Sequence, residues 1–305
     1  MTEAAGAPTR VRLGLIGAGP WSRNYMTVIG ASADAALVAI VARNPATASA
    51  AAPECAVFAE TAAMLDAVQL DGVVLAVPPA VQVALASAIV ARRLAILLEK
   101  PLALALVDAE AVRTAAIRAG VVAHVDHIDL FNPAWQAVRA AAKAGGAVQR
   151  IAGTFAGNGP FRTFTGRWDW GAHAMAVCLD LMGRAPDRVR ARRLGAHANG
   201  ELVEATLDWG AVGATLTFGN GAAATSRWLE VETTAARYRY DDKAAVKATV
   251  DGRAIACAAT RPLDAALARF VRAIRAGQPD TGDLDLGVAV VGALSGVDDA
   301  LGIAR

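Results

Sequence analysis

The sequence has few cysteines, no surplus of one charge, and no apolar run long enough to cross a bilayer. Its three cysteines, Cys55, Cys178 and Cys257, stand far apart without a Cys-x-x-Cys pair. That spacing favours buried free thiols over a disulfide or a metal site, so free thiols and no bound metal are expected. Thirty Lys and Arg against 28 Asp and Glu leave a formal charge of +2, spread over both halves without a basic block. Nothing in this balance points to nucleic acid. The first ten residues, MTEAAGAPTR, carry an acid and no hydrophobic signal region, and the apolar stretch after them is short and Gly-broken. No membrane partner and a cytoplasmic location are therefore expected. No internal repeat and no low-complexity linker is found.

What is present is a chain of 305 residues with 55% apolar and 19% charged content, enough for two domains with sizeable cores. Much of the apolar content is alanine. VRLGLIGAG (11–19) is a fully apolar run ending in glycines, the pattern of a central parallel strand. Helical spacing follows, then ALVAIVAR (36–43), DGVVLAVPP (71–79), RLAILLEKP (93–101) and VVAHVD (121–126), each new strand after a helical segment. A helix closing on Gly120 precedes the last of them. The alternation predicts a Rossmann-type doubly wound parallel sheet over 1–125, with ligands beyond the carboxyl ends of its strands.

After residue 145 short strands with Gly and Asn turns take over, including an Asp-Gly hairpin signal at 251–252. A helix is expected over 171–183 and two more at 263–277 and 284–304. Residues 126–305 thus read as a second domain, an open and mostly antiparallel sheet with helices on one face.

Gly17-Ala18-Gly19-Pro20-Trp21-Ser22 follows the first strand and opens a helix, as a dinucleotide-binding loop requires. Gly17 permits the tight turn, and Gly19 lets the backbone approach a pyrophosphate held at the helix N-terminus. At the end of the second strand stands Arg43 where an NAD site would carry an acid. Its planar cation suits a 2′-phosphate, which favours NADP over NAD.

The order Gly17-x-Gly19, Ala76-Val77-Pro78-Pro79, Glu99-Lys100-Pro101 and Asp169-x-x-x-His173 resembles the glucose-fructose oxidoreductase and inositol dehydrogenase superfamily (Gfo/Idh/MocA). The resemblance runs over nearly the whole chain. It implies hydride transfer between a nicotinamide and a sugar, polyol or nucleotide-sugar carbon. It further implies oligomers, a homodimer or homotetramer, through the second sheet. Lys100 matches the lysine that faces nicotinamide and substrate, where its ammonium stabilises developing alkoxide. Glu99 would fix that lysine and the cofactor ring, and Val77 and Pro78 would border the cofactor. His173 is suited to take the hydroxyl proton, and Asp169 is expected to orient it, the two being spaced i, i+4. In many relatives an acid follows this histidine; here Ala174 and Ala176 stand there.

VDHIDLFNPA (125–134) resembles the VGH…RFNPA segment of relatives acting on nucleotide sugars, which makes His127 a substrate-binding candidate. Leu130 replaces the arginine, Asp126 the glycine, and Gln82 the histidine of a further PPxxH motif. The loop leading into Asp169 adds Arg162, Trp168 and Trp170 as candidate lining of a sugar pocket. The expected function is an NAD(P)-dependent dehydrogenase or reductase acting on CH–OH groups. A non-catalytic nicotinamide-binding regulator and an imine or unsaturated-bond reductase are the alternatives.

Overall fold

A computed structural model describes residues 9–303 except 47, 49–51 and 198. Two compact units emerge. The first comprises the chain up to Glu99, Ala111–Asp126 and Leu263–Leu284; the second comprises Lys100–Glu110, His127–Pro262 and the chain from Asp285.

The first unit is built on a six-stranded sheet, every neighbouring pair parallel, in the order β3-β2-β1-β4-β5-β6. Its strands are β1 (Val11–Ile16), β2 (Ala35–Val41), β3 (Ala56–Phe58), β4 (Gly72–Leu75), β5 (Ala95–Glu99) and β6 (Ala123–Asp126). Helices α1 (Pro20–Ala31), α2 (Thr61–Ala67), α3 (Pro79–Ala91) and α4 (Leu106–Ala119) connect them. Leu13, Leu15, Val73, Val74, Leu75, Ile96 and Leu98 are wholly or almost wholly buried, which is why these strands read as unbroken apolar runs. Strand order reverses between β1 and β4, so the β1–α1 turn opens at the switch point of the sheet. Strand β3, three residues at an edge, is too short to establish a period in the sequence.

Segment Leu263–Leu284, which lies far beyond residue 125, groups with the first unit. His124 Nε2 lies 2.8 Å from Asp280 Oδ2, and Val122 forms an isolated bridge with Asp280. Arg275 Nη1 donates to Asp34 Oδ1 at 2.6 Å.

The second unit carries an eight-stranded sheet in the order β14-β13-β12-β11-β7-β10-β9-β8. These strands are β7 (Val148–Asn158), β8 (Arg188–Leu194), β9 (Leu202–Trp209), β10 (Val212–Gly219), β11 (Gly221–Thr233), β12 (Arg237–Asp241), β13 (Ala248–Val250) and β14 (Arg253–Ala254). Only β10 and β7 pair in parallel. Asp251 and Gly252 turn the last hairpin with φ of 48° and 76°, as a type I′ turn needs. The remaining helices of the chain are α5 (Pro133–Ala144), α6 (Gly166–Met182), α7 (Pro262–Ala276) and α8 (Gly282–Ala300).

Helices α5 and α6 pack on one face of the second sheet, α6 against β7, β9 and β10. Gly171 allows that approach, since a Cβ there would lie 2.9 Å from the Phe218 ring. The opposite face is mainly polar. It displays ion pairs, Arg190–Asp208, Arg192–Glu204 and Arg239–Glu230, with Trp228 beneath Arg239. Helix α6 begins at Gly166, ahead of the expected 171, because its first turn is held from a distance. The Arg167 backbone N–H donates to Glu201 Oε1 at 2.8 Å, and the Arg167 side chain pairs with Asp298. Helix α5 starts on Asn132 as N-cap with Pro133 at its first position.

The cysteines differ from expectation. Cys178 is buried and its thiol is pushed up to about 12 by burial, but Cys55 is half-buried and Cys257 exposed. Among the described residues no helix is long and apolar enough to cross a membrane, and no three His, Cys, Asp or Glu side chains are placed to hold a metal.

Candidate active site

In the first unit the loop after β1 is dictated by two glycines that do different things. Gly17 has φ of +113°, and a Cβ on it would sit 2.3 Å from the Ala76 carbonyl oxygen. Its N–H donates to Val41 O at 2.9 Å, which closes the turn against β2. Gly19, the N-cap of α1, is opposite in kind: a Cβ there would meet nothing within 4 Å. Pro20 starts the helix, no side chain caps it, and its first turn holds no acid. Free N–H groups and the positive end of the helix dipole therefore face open space, an arrangement that fits a pyrophosphate. Ser22 is buried behind the loop, and Trp21 is half-buried. Val77 and Pro78 follow β4, Pro78 serving as N-cap of α3. Arg43 is exposed at the end of β2 and makes no hydrogen bond to a described residue.

Glu99 ends β5 inside a polar cluster of the same unit. Its carboxylate accepts from Trp21 Nε1 and, at 2.8 Å, from the Tyr25 hydroxyl. The same hydroxyl lies 2.6 Å from Asp126 Oδ2. Its single hydrogen serves one carboxylate at a time. Burial, then the charges of Asp126 and Glu99, raise the Tyr25 phenol well above its ordinary range. Gln82, in the place of the family's histidine, donates from Nε2 to the Glu99 carbonyl at 2.9 Å.

The second unit gathers the remaining candidate residues. Lys100 Nζ donates to Asp169 Oδ1 at 2.5 Å and to the Asp169 carbonyl at 3.0 Å. An ammonium has three N–H groups, so one remains. Arg162 Nε takes the other Asp169 oxygen at 2.7 Å. Burial alone would raise the Asp169 carboxyl, but Lys100 and Arg162 outweigh it and hold it below the ordinary range.

His173 does not rest on Asp169. Its Nδ1 lies 2.6 Å from Asp129 Oδ2, on the 3-10 turn Ile128–Phe131. The expected orienting role of Asp169 is therefore corrected. The i, i+4 spacing puts both residues on one face of α6, but each side chain meets a different partner. Asp129 also receives Arg227 Nη1 at 3.3 Å and the Tyr240 hydroxyl at 3.4 Å. Burial would raise Asp129, yet His173, Arg227 and Lys100 hold it below the ordinary carboxylate range. Burial, then the charge of Lys100, lower His173 from 6.5 to about 4 against the opposing pull of Asp129. A neutral ring donating Nδ1–H to Asp129 leaves Nε2 as a proton acceptor.

His127 belongs to this group. It is 2% exposed, and neither ring nitrogen has a hydrogen-bond partner among the described residues. Burial, then His173 and Lys100, lower it from 6.5 to about 3.

The sequence from 11 to 127 matches the family GFO_IDH_MocA, described as an oxidoreductase family with an NAD-binding Rossmann fold. A crystal structure from Magnetospirillum magnetotacticum MS-1, designated an oxidoreductase, is 34% identical with a TM-score of 0.87, the alignment covering 94% of this chain and 99% of that one. The chain belongs to this oxidoreductase family.

Two further structures share its fold. The UDP-N-acetylglucosamine 3-dehydrogenase GnnA of Acidithiobacillus ferrooxidans is 23% identical with a TM-score of 0.81 over 96% of this chain and 98% of its own. Biliverdin reductase of Synechocystis sp. PCC 6803, solved with biliverdin and NADP+, is 19% identical with a TM-score of 0.80 over 96% and 100%. No curated protein matches the sequence.

Within this oxidoreductase family's framework, Lys100, Asp169, His173, His127 and Arg162 come together in the second unit. Trp168 does not join them. It is 5% exposed, and its Nε1 donates to Asp298 Oδ2 at 2.9 Å, so it anchors α6 instead of lining a pocket. Trp170 lies under Arg227, whose guanidinium carbon is 5.6 Å from the ring centroid. Sequence reasoning missed Tyr25, Asp129, Arg227 and Tyr240. Asp129 stands two residues from His127 in the segment singled out, but its pairing with position 173 has no local signal.

Proposed function

We propose that the chain is an NADP-preferring dehydrogenase or reductase acting on a sugar-like alcohol or its carbonyl counterpart. The single observation that supports this best is the pairing of Lys100 on Asp169 with His173 on Asp129 in one unit, each with a polar group left over. A nicotinamide, when bound, supplies or accepts the hydride. Lys100 directs its remaining N–H at the reacting oxygen and stabilises negative charge there. His173 Nε2 takes the hydroxyl proton during oxidation and returns it during reduction, while Asp129 fixes the ring.

Preference for NADP is supported by Arg43, exposed and without a hydrogen-bond partner among the described residues, where an acid would hold a ribose hydroxyl. Measuring both affinities by fluorescence should place NADPH ahead of NADH, with Arg43→Ala narrowing the gap. Equal affinities in the wild type would refute the preference. The three free cysteines support the reducing cytoplasm as the place of action. The activity itself is tested by following nicotinamide absorbance with sugars, polyols and nucleotide sugars. Reduction of an unsaturated bond is the second reading, favoured by the fold shared with biliverdin reductase.

A further inference from the structure

The hydrogen bonds of the second unit leave several groups unspent near one another. Lys100 and Arg162 share a single carboxylate, that of Asp169. Arg227 is matched by Asp129. Asp242, which accepts from Asn132, is taken up by Lys247 and Lys243. Within this ion-paired set of the second unit, three permanent cations, Lys100, Arg162 and Arg227, meet two carboxylates, Asp169 and Asp129, one positive charge in excess. That excess falls on the Lys100–Asp169–Arg162 triad.

Arg162 commits only its Nε to Asp169. The Nη pair of its fork has no partner among the described residues, and the side chain is 45% exposed. A guanidinium half used in this way presents the planar edge that carboxylates bind. His127 adds an independent sign of an absent ligand. Both ring nitrogens of this buried imidazole lack a partner among the described residues, and a buried polar group left unsatisfied is costly.

We propose that the substrate is itself an acid: an alcohol or carbonyl compound bearing a carboxylate, of the uronic or aldonic acid class. The Nη pair of Arg162 grips the carboxylate, Lys100 bonds the reacting oxygen, and His127 hydrogen-bonds a neighbouring substrate oxygen. A carboxylate cancels the excess of one charge. A phosphate monoester, carrying about −1.5 to −2 at neutral pH, overshoots it. This rests on the hydride-transfer reading above and narrows its substrate class.

The test uses matched probes on the full chain saturated with NADP+. Calorimetry compares glucuronate with glucose, gluconate with glucitol, and both with glucose 6-phosphate. At least one acid should bind about tenfold or more tighter than its neutral partner, the factor a charge-assisted bond supplies. Arg162→Ala should bring that ratio close to one, and Arg162→Lys should restore part of it. An unchanged thermal shift on adding NADP+ shows that each variant is folded. Neutral partners binding as tightly as the acids, no binding of either acid, or a ratio that survives Arg162→Ala overturns the proposal. Glucose 6-phosphate binding tightest overturns the carboxylate class. Oxidation of the neutral compounds without preference for the acids sinks this inference alone. Failure of the wild type to bind NADP+ sinks the hydride-transfer reading with it.

Discussion

Asp169 is one carboxylate shared by two cations, and this holds Lys100 in place instead of leaving it a mobile surface charge. The ammonium and carboxylate are 10% and 6% exposed, so the pair is held in one geometry. Lys100→Ala should remove a hydrogen bond made chiefly in the transition state, lowering kcat and kcat/KM together by roughly 10²–10³. Cofactor affinity should change less than about threefold in a fluorescence titration. Turnover at the wild-type rate would refute the role. His173 offers a test by pH. Its base form is the neutral ring, and its affinity for protons is depressed from 6.5 to about 4. The base form therefore persists as pH falls below 6.5 and is lost only near 4. The oxidation rate should show an acid limb near pH 4, and His173→Ala should lower the rate by about 10²–10⁴ and abolish that limb. A limb left in place in the variant would assign it to another group.

At the scale of elements, the turn from β1 into α1 separates folding from binding. Gly17 lies in the left-handed region and against the Ala76 carbonyl, so Gly17→Ala should cost on the order of 1–3 kcal/mol in urea unfolding. Gly19 meets no neighbour at all. Gly19→Ala should cost no more than about 1 kcal/mol, the loss of a favourable N-cap residue with no clash added. Affinity for NADPH should nevertheless fall about tenfold or more, since the new methyl occupies space the pyrophosphate needs. Loss of stability without loss of binding at Gly19 would refute the assignment. Helix α6 shows the complementary case. Its first turn is fastened by Arg167 to Asp298 and Glu201, so the helix that carries Asp169 and His173 is fixed by residues far along the chain.

For the molecule as a whole, the open face of the second sheet is the feature left without an explanation within one chain. It is laced with Arg–Glu and Arg–Asp pairs and half-covers Trp228. We propose that two or four copies associate through this sheet, each chain offering the same alternating charges to its mate. Light scattering at micromolar concentration should return a dimer or tetramer. Raised salt should weaken it, because exposed pairs are screened. A monomer at low salt would refute the assembly.

The sequence by itself determined the parallel sheet of the first unit apart from its edge strand β3, the glycine turn after β1, the Glu99-Lys100 strand end and the Asp251-Gly252 hairpin. Each is written in neighbouring residues, as an unbroken apolar run, a turn residue with positive φ, or a helix start. The meeting of His173 with Asp129, the withdrawal of Trp168 into the core and the return of Leu263–Leu284 to the first unit were decided only by tertiary structure. These depend on which side chains approach across a sheet or from a distant segment, as Asp129 and His173 do across 44 residues. A hydrogen bond is made between positions in space, and periodicity along the chain carries no record of them.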